Sequence, residues 1–345
     1  MQSDPQLRPN IEKRHYTNGG PVPSVATNAR IAPHSLQFNL PAGILAYMRA
    51  TPEAVREQQQ REWTVLSLIE WSSAYLAGKG FEEGRLHVEL LLARVLQCSR
   101  VDLYLHFDRP LAADELSAFK ILFQRRLTCE PLQYILGDTD FMGLTLEVGP
   151  GVLIPRPETE LLVEEVLGAI KARKSSDLRI LDIGTGSGNI PIAVRHFSGM
   201  PVTSIDVSEE ALAIARRNVS KLGLSGITLL KADIFSDILP NESFDLIVSN
   251  PPYISAREFE TLQPEIRGFE PAGATTDGGD GFRVITRICG FASERLVMNG
   301  MMFLEIGFGQ AEAVSTIVKD SGLSPVGIVN DYGGVPRVVK AVRVS

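Results

Sequence analysis

Cysteine is scarce in this chain of 345 residues, which contains three. Cys98, Cys129 and Cys289 are far apart, and none belongs to a CxxC pair or lies at ligand spacing from a histidine. A structural zinc site needs such closely spaced ligands, so the sequence predicts no bound metal. Isolated thiols that stay reduced are typical of cytosolic proteins, and we expect a cytoplasmic location.

Long apolar runs and an excess of positive charge are also missing. No apolar run is long enough to span a bilayer, and the opening residues MQSDPQLRPN lack the apolar core of a secretory signal, so no membrane partner is expected. The 34 Lys and Arg residues stand against 41 Asp and Glu, a net charge of −7. Proteins that wrap duplex DNA normally carry a basic face, and we therefore expect no direct nucleic-acid contact.

The N-terminal stretch, residues 1–53, differs in composition from the rest of the chain. Prolines are mixed with Asn, Ser and Gly, and no helical or strand period is sustained. Segments of this kind do not bury enough apolar surface to fold, so we predict a flexible tail. Met48 is an alternative start, and an organelle-targeting role for the stretch stays open.

Residues 54–135 have a helical pattern without strand signals between the helices. One face of a helix is formed by apolar residues at i, i+3, i+4, i+7 and i+8, namely Val88, Leu91, Leu92, Val95 and Leu96. Similar spacing follows Val65 and Leu116. We predict a small all-helical domain that binds the substrate, and a merely stabilising cap is the alternative because packing patterns do not fix function.

The rest of the chain is predicted to be an α/β domain. Residues 136–155 form a β-hairpin linker, and from 156 to 345 strands alternate with helices, which predicts a doubly wound, largely parallel sheet. The segment NDYGGVP is too short for a crossover helix, so the last strand is antiparallel. The strand candidates are Arg179–Ile183, Val202–Asp206, Thr228–Ala232, Phe244–Ser249, Met302–Ile306, Gly327–Asp331 and Arg337–Val342.

A glycine-rich loop, RILDIGTGSGNI, follows the first of these strands and opens a helix. Its residues are Gly184, Thr185, Gly186, Ser187 and Gly188. Glycines allow a tight turn and close approach of a ligand to the backbone, and helix-initiating N–H groups face that ligand. A dinucleotide fold would need the third glycine one position later, so the spacing favours a cofactor without a pyrophosphate. A simple helix-entry turn is the alternative.

Two carboxylates follow the next strands. Asp206 ends the second strand, where a carboxylate accepts hydrogen bonds from both hydroxyls of a ribose. Asp233 follows the third strand and is placed to meet an adenine, while Asp182 lies under the loop and orients it. These residues resemble class I S-adenosylmethionine-dependent methyltransferases. The resemblance implies a seven-stranded sheet with an antiparallel last strand, S-adenosylmethionine as cofactor, and Ile234 on the adenine side.

The fourth strand ends in Asn250-Pro251-Pro252-Tyr253, at the sheet edge where ligands of such folds bind. The Asn250 side-chain oxygen and the Pro251 carbonyl can each accept one N–H of a planar nitrogen, and Tyr253 can stack on it. Prolines supply carbonyl acceptors without a competing N–H donor, and they restrict the backbone torsions of the segment. Fixed acceptors stabilise the positive charge that develops during methyl transfer, so we predict that this tetrad is catalytic and that Asn250 also borders the cofactor.

Several blocks resemble the HemK/PrmC family of release factor glutamine N5-methyltransferases. They are Glu130–Leu167, with the segment IPRPETE, then SNPPYIS, GFEP, LEIG and DYGGVPRVV. The resemblance implies that the substrate is the glutamine of the Gly-Gly-Gln loop of release factors and that the helical domain contacts the release factor. We also expect the enzyme to act as a monomer. The alternatives are a glutamine methyltransferase of a ribosomal protein and an N6-adenine methyltransferase of nucleic acid. IPRPETE either starts a helix or acts near the cofactor.

Overall fold

The computed structural model describes residues 62–173, 175, 177–236 and 242–344. The predicted tail, 1–53, and the first residues of the predicted helical domain, 54–61, lie outside this part of the chain. Two compact units divide between Leu127 and Thr128. The sequence places its domain boundary at 135, beyond the start of the short helix Leu132–Leu136, which belongs to the second unit.

The first unit is built from helices, with α1 at Val65–Gly78, α2 at Gly84–Leu96, α3 at Arg100–Leu105 and α4 at Ala113–Leu127. Thr64 and Ser99 begin α1 and α3 with capping boxes, which satisfy backbone N–H groups that a helix start leaves without partners. The predicted apolar face of α2 points inward. The residues in the middle of that face have no exposed surface; they are Val88, Leu91 and Leu92.

One buried carboxylate lies within this helical core. Glu89 is 1% exposed, and it pairs with Arg85 at 3.0 Å and with Arg100 at 2.6 Å. The Tyr104 hydroxyl also donates to it. A carboxylate taken out of water is costly unless it is paired and hydrogen-bonded, and here both conditions are met.

The second unit begins with α5 at Leu132–Leu136 and a β-hairpin. β1 at Asp138–Phe141 pairs antiparallel with β2 at Leu144–Glu147. The two turn residues, Met142 and Gly143, have φ of 52° and 76°. Positive φ at both positions is the signature of a type I′ turn, whose twist matches that of the flanking strands.

A seven-stranded sheet forms the centre of the second unit. Its strands are β3 Ile180–Ile183, β4 Val202–Asp206, β5 Ile227–Lys231, β6 Phe244–Ser249, β7 Leu296–Glu305, β8 Ser324–Asn330 and β9 Pro336–Val342. Their order is β5-β4-β3-β6-β7-β9-β8, and β9 runs antiparallel to both neighbours while the other neighbouring strands are parallel. The predicted fold class and the predicted closing hairpin are confirmed.

Helices cover both faces of the sheet. They are α6 Pro157–Arg173, α7 Asn189–Ser198, α8 Glu209–Lys221, α12 Arg283–Arg295 and α13 Ala311–Asp320. Three short helices lie in the connection that follows β6: α9 Ala256–Phe259, α10 Pro264–Phe269 and α11 Ala272–Thr275. Successive strand residues point to opposite faces, so Ile180 packs with α6 and α7 while Leu181 packs with α12 and α13. The strand order reverses between β3 and β6, which opens a crevice at the carboxyl ends of these strands.

Strand β7 is longer than the sequence indicates. The prediction began it at Met302, whereas the structure begins it at Leu296. Asn299-Gly300 is typical of a turn, but here it lies inside the strand, with Asn299 at φ 61°. The register with β6 shifts between Phe244 and Leu246, so this dipeptide accompanies a bulge in one continuous strand.

Candidate active site

The glycine loop joins β3 to α7 by way of three left-handed residues. Gly184, Gly186 and Gly188 have φ of 82°, 54° and 84°, a region that disfavours other residues. A Cβ atom at Gly188 would lie 3.1 Å from Ile192 and 3.2 Å from Ala215, whereas one at Gly186 would meet nothing within 4 Å. Gly188 therefore allows α7 to pack on α8, and Gly186 leaves open space at the crevice.

A buried polar cluster supports the loop from below. Ser204 donates to Asp182 at 2.6 Å, and Thr185 donates to Ser204 at 3.2 Å. Asp182 has no exposed surface, and burial raises the pKa of its carboxyl group to about 7. The cluster ties β3, β4 and the loop together, in the position that the sequence indicated for Asp182.

Asp206 fastens the loop at the end of β4. One carboxylate oxygen accepts from the Gly186 N–H at 2.9 Å, and the other accepts from the Ser208 N–H at 2.9 Å. Burial raises the pKa of Asp206, and these two backbone bonds oppose that shift. A carboxylate oxygen accepts more than one hydrogen bond, so both oxygens retain capacity for a ligand in the crevice.

A cavity of about 700 Å³ lies over the glycine loop, a size within the range of small-molecule sites. The predicted residues that line it are Gly184, Thr185, Gly186, Ser187, Asp206, Asp233, Ile234, Asn250 and Pro252. Gly188 is absent from its walls, in keeping with its packing role. Residues that sequence reasoning missed also line the cavity; they include Phe235, Ala272, Gly273, Asp277 and Arg283.

A smaller cavity of about 240 Å³ adjoins the tetrad. Pro251 and Tyr253 line this cavity, and Asn250 lines both cavities. Asn250 therefore lies where the two spaces meet. Charged residues also border the smaller cavity; they are Arg156, Glu158 and Arg337.

The tetrad is held by hydrogen bonds to residues from other elements. The Asn250 Nδ2 donates to Thr159 Oγ1 at 3.0 Å, and the Thr159 hydroxyl donates to Glu305 Oε2 at 2.7 Å. The Tyr253 hydroxyl donates to Glu305 Oε1 at 3.3 Å. Burial raises the pKa of Glu305 to about 7 and raises that of Tyr253. Gln310 Nε2 also donates to the Tyr253 carbonyl at 2.8 Å, so both ends of Tyr253 are fixed.

The segment IPRPETE begins a helix and also borders the larger cavity. Helix α6 begins at Pro157, which suits the first turn of a helix. Arg156 and Thr159 lie on the wall of the larger cavity. Arg156 pairs with buried Glu270 at 2.5 Å, which ties this segment to the end of α10.

Comparison with known proteins assigns the family. The model of the family described as "PrmC N-terminal domain" matches residues 67–137, and that of the family described as "Methyltransferase domain" matches residues 174–274. The release factor glutamine methyltransferase of Geobacter sulfurreducens is 42% identical over 278 residues, which cover 80% of this chain and 96% of that protein. The enzymes of the same name from Rhodopirellula baltica and Bordetella pertussis are 38% and 40% identical, over 95% and 93% of their lengths. The chain belongs to the release factor glutamine methyltransferase family.

The methyl donor of such a methyltransferase is S-adenosylmethionine, as the sequence predicted. The larger cavity fits this group because it combines an open glycine turn, a carboxylate and an apolar wall at Ile234, which is 8% exposed. Within the described ranges, no cluster of three or more metal-ligating side chains occurs. The helices of those ranges are all too short or too polar to cross a bilayer.

Sequence reasoning missed the partners of the tetrad. Thr159, Glu305, Gln310 and Arg337 were not singled out, although the first two lie in IPRPETE and LEIG, and Arg337 lies in DYGGVPRVV. The signal was available in those blocks, but nothing in them indicated which residue would face Asn250.

Proposed function

We propose that this protein transfers the methyl group of S-adenosylmethionine to the side-chain amide nitrogen of the glutamine in the Gly-Gly-Gln loop of a release factor. The observation that carries the proposal is the position of Asn250, which borders the two cavities at once. The larger cavity would hold the methyl donor, and the smaller one would admit the glutamine side chain. The methyl group and the amide nitrogen then meet beside Asn250.

The binding roles of the individual residues belong to the same proposal. Gly184 to Ser187 line the cofactor, Asp206 accepts from the ribose, and Asp233 and Ile234 border the adenine. When bound, the cofactor supplies an electrophilic methyl group on a sulfonium. Gly188 contributes through the packing of α7 on α8.

The chemistry requires an amide nitrogen to attack although its lone pair is delocalised into the carbonyl. As that lone pair localises, positive charge builds on the nitrogen. The Asn250 Oδ1 and the Pro251 carbonyl would accept its two N–H groups and stabilise this charge in a preorganised site. Tyr253 would stack on the planar amide and hold it in line, and Pro252 keeps the backbone rigid. No strong base is required, because the methylated nitrogen is acidic and loses its proton to water.

The partner proposals follow from this reaction. We propose a cytoplasmic location, because release factors act on the ribosome. We also propose that the enzyme acts as a monomer on its protein substrate. The helical unit matches the PrmC N-terminal domain over 67–127, and we propose that it contacts the release factor. A ribosomal-protein glutamine or a nucleic-acid adenine is the competing substrate, since both are conjugated NH₂ groups.

Radiolabelled S-adenosylmethionine tests the proposal directly. Unmodified release factor is compared with a variant whose Gly-Gly-Gln glutamine is alanine, with ribosomal proteins, and with adenine-containing DNA. We expect label on the unaltered factor alone, and a loss of about a hundredfold or more in rate with Asn250→Ala. Label on DNA or on a ribosomal protein, without label on the factor, would overturn the substrate assignment.

A further inference from the structure

A hydrogen-bonded chain runs from the core of the second unit to the tetrad. Glu305 is the last residue of β7, and Asn250 directly follows β6. These strands are parallel, and Ser249 is paired with Leu304, so Asn250 and Glu305 are the next residues of neighbouring strands. Thr159, in the first turn of α6, lies between their side chains.

The protons available on these side chains determine which group donates and which accepts in each hydrogen bond. Above its raised pKa of about 7, the Glu305 carboxylate is ionised, so it accepts hydrogen bonds and donates none, and a threonine hydroxyl carries one proton. The Thr159 proton is committed to Glu305 Oε2. Thr159 Oγ1 is therefore an acceptor toward Asn250, and only the NH₂ end of the Asn250 amide can donate to it.

This hydrogen bond also determines what the oxygen end of the Asn250 amide can do. With Nδ2 held by Thr159, the Oδ1 atom is the end of Asn250 that remains to meet the substrate. A substrate NH₂ group needs an acceptor there, and the reversed amide would present a donor that repels it. The orientation of one terminal amide thus separates a competent site from an incompetent one.

We propose that Glu305 and Thr159 are positioning residues that fix the side-chain amide of Asn250 with its oxygen toward the reacting nitrogen. This inference rests on the proposed function and deepens it. Neither residue touches the release factor in this scheme, because each is 1% exposed; both act through Asn250. Glu305 also receives the Tyr253 hydroxyl, so the same carboxylate orients both polar members of the tetrad.

A purely structural role explains the arrangement less well. Glu305 is 1% exposed and Thr159 is 1% exposed, and Glu305 adjoins a cluster of apolar residues that includes Leu304 and Ile306. Burial of a carboxylate is costly, and an apolar side chain of similar volume often stabilises a core more. The charged groups nearby, Glu158 and Arg337, oppose each other in their effect on it. A costly carboxylate whose bonds lead to Asn250 and Tyr253 is explained by its control of those residues.

Substitution of Glu305 by glutamine should reverse the direction of hydrogen-bond donation between residue 305, Thr159 and Asn250. The amide that Glu305→Gln introduces could donate to Thr159 Oγ1, which would release the threonine proton. Thr159 could then donate to Asn250, and the Asn250 amide would rotate by 180° to accept. The substrate would meet an NH₂ group in place of an oxygen.

Three variants test the inference against wild type: Glu305→Gln, Thr159→Val and Thr159→Ser. We expect the first two to lower kcat toward the release factor by about a hundredfold, while KM and the dissociation constant of S-adenosylmethionine stay within about threefold. Thr159→Ser keeps the hydroxyl and should retain kcat within about threefold of wild type. Calorimetry gives the cofactor affinity, and melting temperatures show that each variant is folded.

Folding damage does not hide the answer, because Thr159→Val and Thr159→Ser form a matched pair. Equal kcat values for these two folded variants would overturn the inference. So would a loss of cofactor affinity that parallels the loss of kcat. If Glu305→Gln fails to fold, the threonine pair alone decides.

An activity-independent measurement separates this inference from the substrate assignment. Neutron diffraction from deuterated crystals locates the Asn250 ND₂ group in wild type and in Glu305→Gln. We expect it toward Thr159 in wild type and reversed in the variant. An unchanged amide would overturn the inference whichever substrate is methylated, whereas a wild-type enzyme inactive on release factors with the expected reversal would overturn the proposed function and leave the positioning intact.

Discussion

Gly281 lies directly against the carbonyl oxygen of Tyr253. A Cβ atom at Gly281 would overlap that oxygen and would lie 3.2 Å from the side chain of Gln310, which itself donates to the same carbonyl. The loop that carries Gly281 therefore contacts the tetrad Asn250–Tyr253 directly. No side chain larger than hydrogen fits between the two segments.

This contact predicts that Gly281→Ala impairs catalysis by displacing Tyr253. We expect kcat/KM for the release factor to fall by about tenfold or more, since misplacement by about 1 Å at a reacting group is costly. Gly322→Ala is the matched control, because Gly322 also has positive φ, 83° against 87°, but a Cβ there meets nothing within 4 Å and Gly322 borders neither cavity. Steady-state kinetics of both variants check this, and similar losses in the two would contradict the proposed overlap.

Asp206 predicts a separate effect on cofactor affinity. Asp206→Asn leaves one acceptor oxygen where the structure uses two for Gly186 and Ser208. Hydrogen bonds to a charged group contribute about 1.5–3 kcal/mol, so we expect the dissociation constant of S-adenosylmethionine to rise by about ten- to a hundredfold. Isothermal titration calorimetry measures it. Asp245→Asn, at the opposite end of the strands, is the control and should leave the affinity unchanged.

Buried Asp182 predicts a dependence of stability on pH. Its pKa is raised from 3.8 to about 7 in the folded protein, so the folded state retains a proton that the unfolded chain loses. The stability that this protonation provides is present below pH 3.8 and is lost as the pH rises toward 7. Relative to Asp182→Asn, wild type should therefore lose up to about 1.4 kcal/mol of unfolding free energy per pH unit in that window.

Urea unfolding followed by circular dichroism, repeated at several pH values for wild type and Asp182→Asn, measures this difference. Above pH 7 it should become constant, because Asp182 is then ionised in both states. A difference that is flat from about pH 4 upward would show that Asp182 is charged in the folded protein across the whole range.

The burial of Glu89 predicts that loss of Arg100 lowers the free energy of unfolding more than loss of Arg216, whose ion pair has the same length. Arg100–Glu89 and Arg216–Glu209 are both 2.6 Å apart, and the arginines are 46% and 49% exposed. The carboxylates differ, with Glu89 at 1% and Glu209 at 55%. Arg100→Gln leaves a buried charge less well paired and should cost about 1–3 kcal/mol. Arg216→Gln breaks a pair that lies in solvent and should leave the free energy of unfolding nearly unchanged.

Tryptophan fluorescence is a selective probe for the first of these variants. Both tryptophans, Trp63 and Trp71, belong to the helical unit, so a denaturation curve followed in this way reports on that unit. The Arg216 variant needs circular dichroism, because its pair lies in the second unit. Equal costs for the two substitutions would mean that Glu89 is hydrated despite its burial.

The predictability of the strands from sequence depended on how each one ends. The bounds of β4 and β6 were predicted correctly, because β4 ends at Asp206 and β6 ends directly before Asn250, both of which are polar residues of the candidate site. Strand β7 was predicted too short, because Asn299-Gly300 has the local signature of a turn. Its continuation through a bulge depends on pairing with β6 on either side of the bulge and on backbone hydrogen bonds of Asn299 and Gly300 with Arg343, and local sequence does not encode these contacts.

In the candidate site, too, contiguous motifs were predictable from sequence and contacts between distant residues were not. The glycine loop and the tetrad are short contiguous motifs, so the residue order alone was enough to single them out, and both border a cavity. Thr159 and Glu305 were not recognised because their partners are 91 and 146 residues away in the chain. Such contacts depend on strand register and helix docking, which a single sequence does not reveal.

The same distances have a consequence for the order of assembly. Asn250 emerges during synthesis with most of the cofactor cavity already made, but its hydrogen-bonding chain ends at a residue of β7, and β9 must still pair beside that strand. Contacts between distant segments form late, because loop closure must precede them. The amide therefore acquires its fixed direction only after nearly the whole chain has been translated, and methyl transfer becomes a property of the finished domain.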